Sequence, residues 1–254
     1  MNLLIVDGSN LVMRSALGGE LPPHVAVGTA TGLVERAARQ AGATHLVVAL
    51  DSPAGVPSWR KERYPDYKAN RTTDTTPWLQ AVYAHWVERK RWWVEECSRF
   101  EADDIIATLA RRIVGRCTVT VLSGDSDLLP LTAEGIQILK PVNGGRFEFV
   151  TAAQVCTKYT IAAPDLLVDL KSMTGESGDN VPGVDGIGPV RAHQLLAAYG
   201  RLDGVIAAGV AGKCKHSIRV AAAADTVHLA RELVTLNTDA PVLPIKPSTC
   251  AFAA

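Results

Sequence analysis

Two hydrophobic rhythms divide the chain. Over roughly the first 150 residues, the short apolar runs Leu3–Val6, His45–Leu50 and Val119–Leu122 alternate with stretches whose apolar residues recur at helical spacing. The first pattern predicts buried strands and the second predicts amphipathic helices. Residues 28–41 read as a crossover helix between the first two strands. Ile106, Leu109 or Ala110, and Ile113 place another helix ahead of the third strand. A strand–helix–strand–helix–strand order predicts an α/β fold with a mostly parallel central sheet and helices on both faces. Ile136–Leu139 and Phe147–Val150 predict a hairpin around Asn143-Gly144-Gly145. Beyond about residue 151 the strand signals fade and helical periodicity takes over.

Composition narrows this picture without changing it. The 254 residues are 47% hydrophobic and 20% charged, enough apolar material for a sizeable core. No apolar run reaches the roughly 18 residues of a membrane helix, so no membrane association is expected. The opening Met1–Asp7 lacks a basic segment and meets an acid too early for a signal peptide, so a cytoplasmic location is expected. Five cysteines, odd in number and without CxxC spacing, fit reduced thiols and not a structural zinc site. The 26 basic and 26 acidic residues sum to zero, which speaks against a simple polycation.

The acids, however, gather. Asp7 closes the first strand, Asp51 the second, and Asp125 and Asp127 follow the third in Ser123-Gly124-Asp125-Ser126-Asp127. Glu101, Asp103 and Asp104 open a helix in Phe100-Glu101-Ala102-Asp103-Asp104. One aspartate after one strand is ordinary turn and capping chemistry. Three strands and a helix start deliver theirs to a single sheet edge, where open α/β sheets hold ligands. The helix dipole offsets part of the repulsion. A hard divalent cation with oxygen ligands offsets the rest, so a Mg²⁺-type site is expected.

Three further stretches carry chemistry. Ser52–Arg71 interleaves Arg60, Lys61, Arg63, Lys68 and Arg71 with Trp59, Tyr64 and Tyr67. That alternation suits phosphate contact with base stacking, and a merely solvated basic loop would look the same. Residues 77–96 hold Trp78, Trp86, Trp92, Trp93 and the run Glu88-Arg89-Lys90-Arg91, expected on one or two helices as packing or as a mobile cover. Thr174–Pro189 is a glycine-dense turn between helices. Such a turn can aim backbone N–H groups at a phosphodiester, although tight interhelical turns need glycine anyway.

Together these residues resemble the bacterial and phage 5′-nucleases, which are flap endonucleases and 5′→3′ exonucleases. Leu4-Ile5-Val6-Asp7-Gly8 and Leu50-Asp51 look like the family's first two metal aspartates on their strands. Arg60 and Tyr64-Pro65-Asp66-Tyr67-Lys68-Ala69-Asn70-Arg71 are similar to its R…YPxYKxxR element at the base of a helical arch. Glu101–Asp104 matches EADD, and Asp125–Leu128 matches DxDL. Gly175–Asn180 stands where GDxxDN is usual, with Glu176 in place of aspartate. Val181–Gly188 looks like the helix–three-turn–helix, and Leu233 to Pro241, with Thr238-Asp239, like the L-x-TD-x-P ending.

The resemblance implies a PIN-like 5′-nuclease core over residues 1–155, with an arch at about 57–97, and a helical DNA-binding region over 156–254, with the helix–three-turn–helix at about 165–200. It implies hydrolysis of DNA phosphodiesters, by flap cleavage or 5′→3′ trimming, with two Mg²⁺ or Mn²⁺ ions and K⁺ at the turn. Asp7, Asp51, Glu101, Asp103 and Asp104 would serve the first ion, and Asp127, Glu176 and Asp179 the second, with Asp125 near both. Lys68 and Arg71 would be catalytic. Arg60, Tyr64, Tyr67, Lys68, Arg71, Gly183, Gly186, Gly188 and Arg191 would contact DNA. The implied partner is DNA with a free 5′ end, met by a monomer. Committing nine acids to metal leaves 17 against 26 bases, so a neutral total is compatible with a cationic DNA face. Glu176 keeps open a catalytically weakened reader of branched DNA. A PIN-type ribonuclease is the other alternative, disfavoured by the Gly183–Gly188 turn and the basic arch base.

Overall fold

Six strands form one sheet in a computed structural model that describes residues 1–16, 20–53, 55–88 and 92–252. They are β1 (Asn2–Asp7), β2 (His45–Leu50), β3 (Trp93–Glu96), β4 (Thr118–Leu122), β5 (Gln137–Val142) and β6 (Arg146–Val150), in the order β3-β2-β1-β4-β5-β6. All neighbours pair in parallel except β5 and β6, which form the expected antiparallel hairpin. The helices are α1 (Gly8–Ser15), α2 (Pro23–Gln40), α3 (Trp59–Arg63), α4 (Thr76–Val82), α5 (Ala102–Ile113), α6 (Ala152–Tyr159), α7 (Leu166–Thr174), α8 (Pro189–Tyr199), α9 (Leu202–Val210), α10 (Lys215–Ala222), α11 (Ala224–Val234) and α12 (Pro247–Cys250). The basic run Arg89-Lys90-Arg91 lies outside the described residues.

The chain divides into two compact units. Unit 1 comprises residues 1–59, 73–150 and 236–254; unit 2 comprises 60–72 and 151–235. In sequence the units are not continuous, because residues 60–72 belong to unit 2 and residues 236–254 to unit 1. Both are held by long-range hydrogen bonds that no local pattern announces. Within unit 2, the buried Arg60 guanidinium donates to the Leu233 and Thr235 carbonyls at 2.7 and 3.2 Å. These lie at the end of α11, where carbonyls lack helical partners. Within unit 1, Arg112 of α5 donates to the Val242 and Ala240 carbonyls at 3.0 and 3.2 Å.

In unit 1 the sheet is covered on both faces, as parallel sheets require. One face joins Leu4, Val6, Leu46, Val48, Leu50 and Leu122 to Leu11 and Val12 of α1 and to Val27, Ala30, Val34, Ala37 and Ala38 of α2. The α2 residues fall at helical spacing, and burial of each larger one is worth about 1.5–3 kcal/mol. On β1 and β2 also packs α5, with Ile105, Ile106 and Leu109 buried. The tryptophan-rich segment belongs to this core. Trp86, on a single π-helical turn at Tyr83–Val87, is wholly buried, donates to Thr31 Oγ1 at 2.8 Å and tilts against Trp92 at 5.4 Å between centroids. It is packing, not a cover. Beyond it the chain forms the edge strand β3, which the expected helices did not include.

Candidate active site

The carboxylates of unit 1 collect where β1, β2 and β4 end and α5 begins. The sheet order reverses at β1, so the crevice beyond β1 and β4 is a topological switch point. Asp7 is buried there: one oxygen accepts from the Asn10 N–H at 3.0 Å and caps α1, and the other accepts from Ser123 Oγ at 2.7 Å. Burial pushes its carboxyl up to about 7, with Asp51 and Asp125 adding repulsion against the two hydrogen bonds. Asp51 accepts from the Ala102 N–H at 2.9 Å, so the end of β2 caps the first turn of α5. Glu101, buried, stands at the N-cap, and Asp103 and Asp104 follow in the first turn. Asp125 accepts from the Asp127 N–H at 3.0 Å, while its own N–H donates to Ser123 Oγ at 2.9 Å.

Whether these residues suit a cation can be judged from the donors alone. Every candidate is a carboxylate, which selects a hard ion such as Mg²⁺ or Mn²⁺ over zinc. Burial, with repulsion from Asp51 and Asp125 adding to it, raises the Asp7 carboxyl, and a cation would offset both. Among the described residues, no three His, Cys, Asp or Glu side chains are drawn together as an ion's ligands would be. The donor set fits a hard cation in its chemistry.

Unit 2 brings the arch-base segment 60–72 onto the Gly175–Asn180 turn. Asp179, nearly buried, accepts from Tyr67 Oη at 3.1 Å, pairs with Arg71 and lies 3.8 Å from Lys68 Nζ. Lys68 has a left-handed backbone (φ 53°), and its N–H donates to the Asp179 carbonyl at 2.8 Å. A non-glycine residue in that region costs on the order of 1–3 kcal/mol, and such strain gathers at functional positions. Glu176 pairs with Lys171 at 2.9 Å. Gly183 meets the backbone of Thr174 so closely that a Cβ would lie 2.4 Å from its carbonyl. Gly186 has φ +71°, the conformation that favours glycine. The Gly186 carbonyl accepts from Arg191, and the Asp185 carbonyl from Arg219 at 3.3 Å. Two carbonyls of the turn therefore already face guanidinium charge, and they do not fit the K⁺ implied by the resemblance.

Comparison with known proteins decides the lineage. Residues 2–160 match the family model "5'-3' exonuclease, N-terminal resolvase-like domain", and residues 162–254 match "5'-3' exonuclease, C-terminal SAM fold". The chain belongs to the 5′-3′ exonuclease family. Flap endonuclease Xni of Aeromonas hydrophila is 34% identical over 257 residues, covering 95% of this chain and 92% of that protein. DNA polymerase I of Rhizobium leguminosarum is 34% identical over 262 residues, but the chain spans only 25% of its length. The fold is shared with a zinc-bound T5 5′-exonuclease (TM-score 0.78, 22% identity, 94% of this chain and 90% of that one). It is also shared with the catalytic core of Rad2 in complex with a DNA substrate (TM-score 0.59, 17% identity, 99% and 83%).

For this 5′-3′ exonuclease family member, the structure sorts the sequence candidates by position. Asp7, Asp51, Glu101, Asp103, Asp125 and Asp127 lie along one edge of unit 1. Asp104 is set apart: fully buried, it accepts from Trp59 Nε1 at 2.9 Å and from the Asn237 N–H at 2.8 Å. Arg60 and Tyr67 correct the expected DNA contacts, since both are buried and spend their polar groups inside unit 2. Tyr64 packs against the core of Tyr67, Val181, Ala230, Leu233 and Val234. Lys68, Arg71, Gly188 and Arg191 keep some or most of their surface open. Two residues were missed. Ser123 ties Asp7 to Asp125, and the serine of Ser123-Gly124-Asp125 was its visible signal. Glu96 ends β3, where burial and Asp51 raise its carboxyl; recognising that strand would have added it to the acid edge.

Proposed function

We propose that the chain is a structure-specific 5′-nuclease that hydrolyses DNA phosphodiesters at 5′ flaps or by 5′→3′ trimming. It would act as a cytoplasmic monomer on DNA with a free 5′ end. The observation that carries this reading is the acid edge of unit 1, where Asp7, Asp51 and Asp125 stand at the ends of β1, β2 and β4 beside the start of α5, and where burial, with Asp51 and Asp125 adding to it, raises the Asp7 carboxyl to about 7. Asp7, Asp51, Glu101, Asp103, Asp125 and Asp127 would hold Mg²⁺ or Mn²⁺, two ions in all. A divalent ion, when bound, supplies Lewis-acid charge at the scissile phosphate. Ser123 and the Asn10 N–H orient the Asp7 carboxylate, and Asp51 fixes the start of α5. Lys68 and Arg71 would place positive charge on the scissile phosphate, where charge grows in the transition state. For Glu176 and Asp179 the metal role rests on the family resemblance.

The test compares cleavage of a 5′-flap duplex, a blunt duplex and single-stranded RNA, with Mg²⁺ and with excess EDTA. Flap cleavage abolished by chelation and by Asp125→Asn, with an unchanged fold, is the expected result. Full cleavage in EDTA, or preference for RNA, would overturn it. The relatives do not favour the ribonuclease or the catalytically weakened alternative.

A further inference from the structure

Two helices of unit 2 send arginines to one turn. From α8, Arg191 donates to the Gly186 carbonyl; from α10, Arg219 donates to the adjacent Asp185 carbonyl at 3.3 Å. Gly186 makes room for this: a Cβ there would fall 2.1 Å from Arg219 Nη1. Arg191 and Arg219 are both exposed, and so is Lys215, four residues before Arg219 on α10. That spacing puts Lys215 and Arg219 on one helix face, about 6 Å apart along the axis. Among the described residues, none of the three makes an ion pair with a carboxylate. One exposed acid, Asp185, stands at the turn itself.

A guanidinium has five N–H donors, and a carbonyl occupies only one or two of them. Each arginine is therefore held in place with donors left over. Holding a long side chain beforehand reduces the ordering cost of binding an anion. Two such groups side by side, with an ammonium one helical turn away, match consecutive phosphates of a nucleic-acid strand better than a single small anion. We propose that Arg219 and Lys215 form a phosphate-binding element on α10 that extends the Gly183–Gly188 turn along a DNA duplex. The inference rests on the nuclease reading above and adds to it where the duplex arm is held. The sequence candidates reached Arg191 but not Arg219, which lies 33 residues beyond the turn's Gly186.

The rival role for Arg219 is a tether that fixes α10 to the turn. Arg219→Gln and Arg219→Lys separate the two, because both remove the guanidinium that bonds the Asp185 carbonyl but only glutamine loses the charge. Binding of a 5′-flap duplex by the full chain is measured in EDTA, as fluorescence anisotropy against salt. Each phosphate contact contributes about 0.9 to the slope of log K against log salt, or about eightfold in affinity at ~0.1 M. Arg219→Gln should therefore flatten the slope by about one and weaken binding by about that factor, and Lys215→Gln should flatten it in the same sense. Arg219→Lys should keep the slope. A wild-type slope in both glutamine variants, or weaker binding by Arg219→Gln at unchanged slope with a lowered Tm, would overturn the inference. If Arg219→Gln does not fold, Lys215→Gln decides alone. Flap cleavage by the wild type in Mg²⁺ runs in parallel. Wild-type binding and cleavage with unaltered variants would sink this inference and leave the nuclease reading standing; no binding and no cleavage would sink both.

Discussion

Asp7→Asn tests the acid edge without reference to activity. In the folded chain the Asp7 carboxyl is raised from 3.8 to about 7, burial being the main cause and Asp51 and Asp125 adding to it. A raised carboxyl stabilises the fold only while protonated in both states. As pH rises above about 4, the unfolded chain releases its proton first, and stability falls until the folded group also ionises near 7. At 1.36 kcal/mol per unit, the whole loss is roughly 4 kcal/mol, of which roughly 2–3 kcal/mol falls between pH 5 and pH 8. Asparagine keeps the two local bonds: its oxygen can accept from the Asn10 N–H, and its amide can donate to Ser123 Oγ. It does not titrate. In chelator, urea unfolding from pH 5 to pH 8 should therefore show the wild type losing roughly 2–3 kcal/mol more than the variant. Glu96, also raised, titrates in both proteins and largely cancels in the difference. Saturating Mn²⁺ should reverse the order, since a ligand at about 100 times its Kd stabilises by roughly 2.7 kcal/mol and the variant has lost a carboxylate to hold it. Parallel pH curves for the two proteins in chelator would refute the account of a buried Asp7 whose carboxyl is raised.

Five other substitutions probe the remaining assignments. Arg60→Met should cost roughly 2–4 kcal/mol, by leaving the Leu233 and Thr235 carbonyls without their donor, yet leave the salt dependence of DNA binding unchanged; a flatter slope would restore Arg60 as a phosphate contact. Asp104→Asn should lower Tm, because an amide can accept from only one of Trp59 and Asn237, whereas Asp103→Asn should keep Tm and abolish cleavage; equal melting of the two would contradict the distinction. Lys68→Ala should lower kcat by roughly 100-fold or more with a smaller effect on DNA affinity, and a pure affinity loss would make Lys68 an ordinary anchor. Glu176→Asp, by freeing the side chain from Lys171 and shortening it by one methylene, should shift the Mg²⁺ midpoint of flap cleavage. An unchanged midpoint would remove Glu176 from the metal site.

What could be read from the sequence is what local periodicity encodes. β1, β2, β4 and the β5–β6 hairpin announce themselves by apolar runs, and the acids at their ends are visible without any structure. β3 was hidden because its four residues include Glu95 and Glu96, and its pairing with β2 is a choice made across more than forty residues. The arch-base motif shows the same limit at single-residue scale. Arg60 and Lys68 look alike in sequence, but Arg60 is buried by carbonyls more than 170 residues away, while Lys68 is part-exposed beside Asp179. Residue type marks a candidate. Burial decides whether its charge is spent on the fold or kept for a ligand.

Asp104 shows how such spending can still serve the site. On α5, Asp104, Thr108 and Arg112 stand four residues apart, so they form a polar line along one side of the helix. Along that line runs an extended segment whose backbone groups have no strand to pair with. Asp104 accepts from the Asn237 N–H, Thr108 reaches the Asn237 carbonyl at 3.5 Å, and Arg112 takes the carbonyls of Ala240 and Val242. The segment then ends on β3, where the Leu243 N–H donates to Glu95 at 2.9 Å. Backbone groups in such a segment must be paired somewhere, and the side chains of α5 supply the partners that a sheet would otherwise provide. The carboxylate that anchors this strap belongs to the first turn of α5, between the Asp51 cap and the Trp59 indole. Its two hydrogen bonds therefore fix the turn on which Glu101 and Asp103 are mounted. One aspartate of the EADD sequence, Asp104, holds the frame on which the proposed metal ligand Asp103 is mounted.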